Sequence, residues 1–168
     1  MDVIEGRVWK FDDNINTDVI IPGRYMNTPL EEMKTHALEM VNPQFPLEVK
    51  KGDVIVGGED FGCGSSREEA VSVLKASGIT AVICESFARI FFRNAISTGL
   101  PVILCPGVSE AFKENDTLRL DLDAAIVTNV TLGRVLSCEQ VSGEIKEILS
   151  RGGIIPILRD FAREQSSR

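Results

Sequence analysis

The chain has 168 residues, 18 Lys+Arg against 25 Asp+Glu, a formal net charge of −7 and 43% hydrophobic residues. That length and balance describe roughly one globular domain, able to bury a core without disulfides or a metal, and they exclude a disordered chain. The acidic surplus argues against a nucleic-acid backbone or an anionic membrane as the main partner.

Residues 6–11 (GRVWKF) alternate and predict a first strand. Residues 12–23 (DDNINTDVIIPG) are turn-rich, then apolar, then stopped by Pro22, which predicts a loop holding a short strand or turn. Leu30, Met33, Ala37, Leu38 and Val41 recur at helical spacing behind Pro29 and predict a helix over 30–41. Val54-Ile55-Val56 is a β-branched run suited to a buried strand. A glycine-dense passage follows, then a helix with Ala70, Val71 and Leu74 on one face, ended by Gly78. Residues 81–84 predict a second buried strand, 87–97 a second helix closed by Gly99 and Pro101, and 102–104 a third strand. This order implies a parallel βαβ core. Beyond it, 117–122 (TLRLDL) and part of 125–130 alternate with period two and predict antiparallel strands. A third helix is expected over 141–150, a further strand over 154–158, and a frayed, mobile tail over 159–168.

Cys63, Cys84, Cys105 and Cys138 are far apart, with no C-x-x-C pair, and His36 is the sole histidine. A self-contained zinc site or disulfide framework is therefore not expected, and a reducing compartment is. The N-terminal residues are acidic where a signal peptide would be basic then apolar, and no run reaches the ~18 apolar residues of a membrane helix. A cytoplasmic protein is expected.

The chemistry concentrates in residues 57–67 (GGEDFGCGSSR), set between a strand and a helix. The spacing matches neither a P-loop nor a dinucleotide fingerprint. Ser65 with Glu68, and Ser66 with Glu69, each fit a capping box, so capping alone explains two serines at a helix start. The alternative is functional: a serine hydroxyl, helix-terminal amides and Arg67 at one point suit a carboxylate-bearing substrate and developing negative charge. A serine acts as a base only where its alkoxide is stabilised by such amides and cations.

The string 62–68 (GCGSSRE), together with 16–22 (NTDVIIP), resembles the small subunits of the aconitase-type dehydratases, above all those of isopropylmalate isomerase in the short form shared with homoaconitase. Residues 5–11 (EGRVWKF) and 86–95 (SFARIFFRNA) extend the likeness, which runs from about residue 4 to about 105 and persists weakly to 155. The resemblance implies an α/β fold, a swivelling three-layer β/β/α domain formed by residues 1–168 as one unit. It implies a hydro-lyase that isomerises 2- and 3-isopropylmalate by dehydration and rehydration in leucine biosynthesis. It makes Ser65 the general base, Ser66 its neighbour in the substrate pocket and Arg67 the binder of a substrate carboxylate, with Thr17 and Asp18 completing that pocket. It also implies a large-subunit partner carrying a [4Fe-4S] cluster, with no cofactor or metal held by this chain. The spacing of the four cysteines agrees, since such a cluster takes cysteine thiolates.

The substrate-selecting loop of that family corresponds to Tyr25-Met26-Asn27-Thr28. Homoaconitase subunits tend to carry arginine where Asn27 stands, to read an extra carboxylate, and the isopropylmalate enzymes an apolar residue. Asn27 thus disfavours homocitrate and leaves citramalate or dimethylmalate as alternatives to isopropylmalate. Asn27 also suits a turn residue ahead of Pro29. Glu69 replaces a histidine common in the family and is read as a capping or surface residue. Cys63, without a histidine beside it, is not expected to be a nucleophile. Arg89 and Arg93, four apart, suit either solvated pairing or bracing of the pocket or partner.

Overall fold

Val8 and Trp9 are adjacent in sequence and lie in different cores. In the computed structural model, which describes residues 3–167, Val8 packs with Val54, Val56, Ala81, Ile83 and Ile103. Trp9 packs with Ile55, Val82, Cys84 and Val102. This is the period-two pleat of parallel strands buried on both faces, the burial that their β-branched runs call for.

The sheet has seven strands in the order β4-β3-β2-β1-β5-β6-β7. They are β1 (Ile4–Lys10), β2 (Val54–Gly57), β3 (Ala81–Cys84), β4 (Val102–Leu104), β5 (Thr117–Asp121), β6 (Ile126–Asn129) and β7 (Arg134–Ser137). β1 to β4 are parallel, with Val8 opposite Val54, Ile55 opposite Val82 and Ile83 opposite Ile103. β5 joins β1 antiparallel, Ile4 opposite Leu120, and β6 and β7 continue antiparallel.

Among the described residues, eight α-helices connect and cover these strands: α1 (Thr17–Ile20), α2 (Leu30–Met33), α3 (Phe45–Glu48), α4 (Glu68–Ala76), α5 (Arg89–Thr98), α6 (Val108–Ala111), α7 (Gly143–Ser150) and α8 (Ile154–Ser166). α4 and α5 bury Ala70, Val71, Leu74, Phe91 and Ala95 on the Trp9 face. On the Val8 face, Leu118 and Leu120 of β5 and Val127 of β6 share a core with β2, β3 and β4. The antiparallel half therefore curls back over the parallel half. Helices, parallel strands and antiparallel strands make the three-layer β/β/α arrangement that the resemblance implies.

Several local expectations are corrected. Residues 12–23 hold the short helix α1 rather than a strand, because the Asn16 side chain accepts from Val19 N–H at 2.8 Å and caps it. The helix expected over 30–41 is only α2 and one 3-10 turn, Lys34–His36. Leu38 ends it at φ +55, with its N–H on Ile20 O at 2.9 Å. Residues 154–158 open α8 and are not a strand. Pro156 falls in the first turn, where its missing N–H costs nothing, and the charged residues after it continue as helix to Ser166. β7, α3 and α6 are additions that the sequence reading did not contain.

Candidate active site

Two loops meet at the C-terminal end of β2. Thr17 N–H donates to Cys63 O at 2.8 Å and Gly62 N–H to Ile15 O at 2.7 Å, so residues 15–17 and 62–63 are tied backbone to backbone. Gly62 is required for this. Its φ is +82, and a Cβ there would lie 2.1 Å from the Phe91 ring. At Gly58 a Cβ would lie 1.8 Å from Asp13 Oδ1, the atom that accepts Glu59 N–H at 2.7 Å. These two glycines thus serve close approach between protein segments.

Ser65 is exposed on the far side of this junction. The Thr17 hydroxyl lies 3.0 Å from Ser65 O and 3.2 Å from Ser65 Oγ. Neither serine caps α4: the N-cap is Arg67, in extended conformation, and no side chain accepts from the first turn. The two capping boxes are not formed: the Ser65 side chain is turned towards Thr17, and the N-cap position falls on Arg67 rather than on Ser66. Ser66 is exposed beside it, and the amides at the α4 mouth stay open to an anion.

Arg67 Nη1 pairs with Asp18 Oδ1 at 2.5 Å and reaches Ile21 O at 3.4 Å. Its guanidinium lies against Gly23, where a Cβ would stand 3.3 Å from Nη2. Thr17, Asp18, Ser65 and Arg67 are therefore brought together from α1 and the start of α4. Asn27 and Thr28 occupy the turn after the 3-10 segment Gly23–Tyr25 and make no hydrogen bond with Ser65, Ser66 or Arg67. Thr28 donates its hydroxyl to Tyr25 O at 2.6 Å, and Asn27 is exposed.

A profile of the aconitase C-terminal domain matches residues 10–105. The chain belongs to the aconitase C-terminal domain family. This aconitase C-terminal domain is 49% identical over 158 residues to the isopropylmalate/citramalate isomerase small subunit of Methanocaldococcus jannaschii, covering 94% of each chain. It is 46% identical over 154 residues to the homoaconitase small subunit of Methanothermobacter thermautotrophicus, covering 91% of this chain and 89% of that one. A crystal structure of 3-isopropylmalate dehydratase (LeuD) from M. jannaschii superposes with a TM-score of 0.92 at 43% identity, covering 99% of each chain.

Other residues of this aconitase C-terminal domain fall outside the junction. The Cys63 thiol is half-buried and pushed up by that burial and then by Asp60, so it is not activated. Among the described residues no group of three His, Cys, Asp or Glu side chains could hold a metal, and the donor set does not fit a cluster. Arg89 and Arg93 are exposed, border an apolar hollow with Phe87, Phe92 and Leu104, and make no ion pair among the described residues.

One brace escaped the sequence reading. Tyr25 stacks on His36 with ring centroids 3.8 Å apart, and Glu39 takes His36 Nδ1 at 2.9 Å and Tyr25 Oη at 3.3 Å. It fastens the turn that carries Asn27. The i,i+3 spacing of His36 and Glu39 was readable, whereas the Tyr25 contact is tertiary. Asn16 likewise had a readable signal, a cap residue three positions before Val19.

Proposed function

We propose that this chain is the small subunit of a hydro-lyase that interconverts 2- and 3-isopropylmalate by dehydration and rehydration. The observation that carries the reading is the exposed Ser65 hydroxyl at the uncapped mouth of α4, beside an arginine held in place by Asp18. The full-length likeness to isomerase and dehydratase small subunits supports it.

Removing water from a malate-type acid requires a base for the proton, cations for the carboxylates and a Lewis acid for the departing hydroxyl. Ser65, as alkoxide, takes the proton from carbon; the C–H pair becomes the second bond of the alkene as the hydroxyl leaves with its own pair. The α4 amides and dipole stabilise the alkoxide. Arg67 holds a substrate carboxylate, Ser66 hydrogen-bonds it, and Asp18 fixes the guanidinium. Asn27 and Thr28 face the variable substituent. The third requirement has no fitting donors here, and we place it in a large subunit as a [4Fe-4S] cluster acting as Lewis acid. The domain then closes over that partner as one swivelling unit in the cytoplasm.

A second reading on citramalate is favoured by one residue, since Asn27 offers neither the apolar contact suited to an isopropyl group nor a charge for homocitrate. Anaerobic reconstitution with a cluster-bearing large subunit tests both. Turnover is expected on isopropylmalate, less or none on homocitrate, and none by this chain alone. Turnover by the chain alone would overturn the assignment, and preference for citramalate would move the substrate.

A further inference from the structure

Thr17 is only 2% exposed, so in this geometry its hydroxyl faces Ser65 and not a ligand. That hydroxyl has one proton to donate and two neighbours that accept it: Ser65 O at 3.0 Å and Ser65 Oγ at 3.2 Å. Ser65 O does not depend on it, because Arg67 N–H already donates there at 2.9 Å. Rotation about the Thr17 C–O bond therefore moves the proton from one acceptor to the other and leaves no buried group unpaired. The residue itself is held in place, since its amide is tied to Cys63 O at 2.8 Å.

Resting on the reading of Ser65 as base, we infer that Thr17 is a positioning residue. Its hydroxyl fixes the Ser65 side chain, and turns its proton onto Ser65 Oγ whenever that oxygen is ionised. In the resting state Ser65 O–H donates to Thr17 Oγ1, and Thr17 O–H donates to Ser65 O. When Ser65 Oγ loses its proton to water, the Thr17 proton swings to it without leaving Thr17. When the alkoxide then takes a proton from substrate carbon, the first arrangement returns. No proton is gained or lost at Thr17. A hydrogen bond to a charged acceptor is about twice as strong as a neutral one, so this contact favours the alkoxide over the hydroxyl. It also aims the oxygen, which a free serine rotor would not.

The charged and titratable groups around Ser65 are Arg67 with Asp18 from α1, Glu68 and Glu69 in the first turn of α4, and Asp60 and Cys63 in the loop. Thr17→Val alters none of them and keeps the β-branched shape. In the reconstituted two-subunit enzyme it is expected to lower kcat by about 10–100-fold, with KM within about threefold, the size of losing one hydrogen bond to a charged group. The rise of kcat with pH should also move to higher pH, because the alkoxide is less stabilised. Thr17→Ser, which keeps the hydroxyl, should recover most of the rate and the original pH profile.

Wild-type kcat and pH profile in Thr17→Val would overturn the inference. So would a loss carried by KM alone. Should Thr17→Val not assemble with the large subunit, Thr17→Ala removes the same hydroxyl without a new methyl and gives the same readout. Failure of both to assemble, with Thr17→Ser assembling, would mean a structural role and overturn it too. Ser65→Ala separates the two layers of the argument: if it retains turnover the base assignment itself fails, and if it is dead while Thr17→Val is normal only the positioning role fails.

Discussion

Arg67 and Asp18 form a 2.5 Å ion pair that joins the start of α4 to the first turn of α1. Asp18 is well exposed and Arg67 partly so, which makes the pair worth no more than about 1 kcal/mol to the fold. Its effect is to aim a planar, two-pronged donor. Arg67→Lys keeps the charge and loses the fork as well as the reach to Ile21 O. The expected outcome is a KM raised about 10–100-fold with thermal unfolding nearly unchanged, measured on the reconstituted enzyme. Asp18→Asn retains an acceptor for Arg67 and should cost less.

Asp53 is the buried acid on which the β1–β2 region depends. Its Oδ2 accepts from Arg7 Nη2, Trp9 Nε1 and Lys50 N–H, each at 2.9 Å. Burial pushes its carboxyl up, but the Arg7 contact and then the Lys50 and Trp9 donors outweigh burial and hold it below the ordinary value of 3.8. A carboxyl lowered in the folded state stabilises the fold fully above its unfolded value, and that contribution is lost as pH falls through the folded value. Asp53→Ala leaves Trp9 and Lys50 donors unpaired and should cost about 3 kcal/mol at neutral pH in a urea titration. The difference between wild type and variant should shrink in acid.

Gly62→Ala forces a side chain into the left-handed region and against Phe91. Strain and overpacking together should cost about 2–4 kcal/mol. Because Gly62 N–H also ties the loop to Ile15 O, turnover should fall along with the melting temperature. Gly133→Ala, with open space around its Cβ position, is the matching control for a positive φ (+69) without the clash.

The parallel strands were legible because they are short β-branched runs bounded by glycine and proline, as at Val54-Ile55-Val56. The candidate site was legible as two motifs, and what the sequence did not contain was how they touch. The Ser65 and Ser66 capping boxes obeyed local rules, yet the chain spends Ser65 on a contact with Thr17, which lies on another helix. The run Ile154-Ile155-Pro156-Ile157-Leu158 reads as strand by composition, and Pro156 in a first turn is equally at home in a helix. The Tyr25–His36 stack, a contact between two separate 3-10 segments, left no pattern at any fixed spacing.

On the proposed reading, Asn27 carries the substrate question. It stands exposed in a turn held by Tyr25, His36 and Glu39, so a larger side chain has room there without disturbing the core. Asn27→Arg supplies a cation for one more carboxylate. It is expected to raise kcat/KM on homocitrate and lower it on isopropylmalate, in a competition assay with both acids present.

Ser65→Ala, in the anaerobically reconstituted enzyme, addresses the catalytic assignment most directly. Loss of a positioned base should cut the rate by at least about 100–10,000-fold while the two subunits still co-elute. Near-normal turnover in that complex would contradict it.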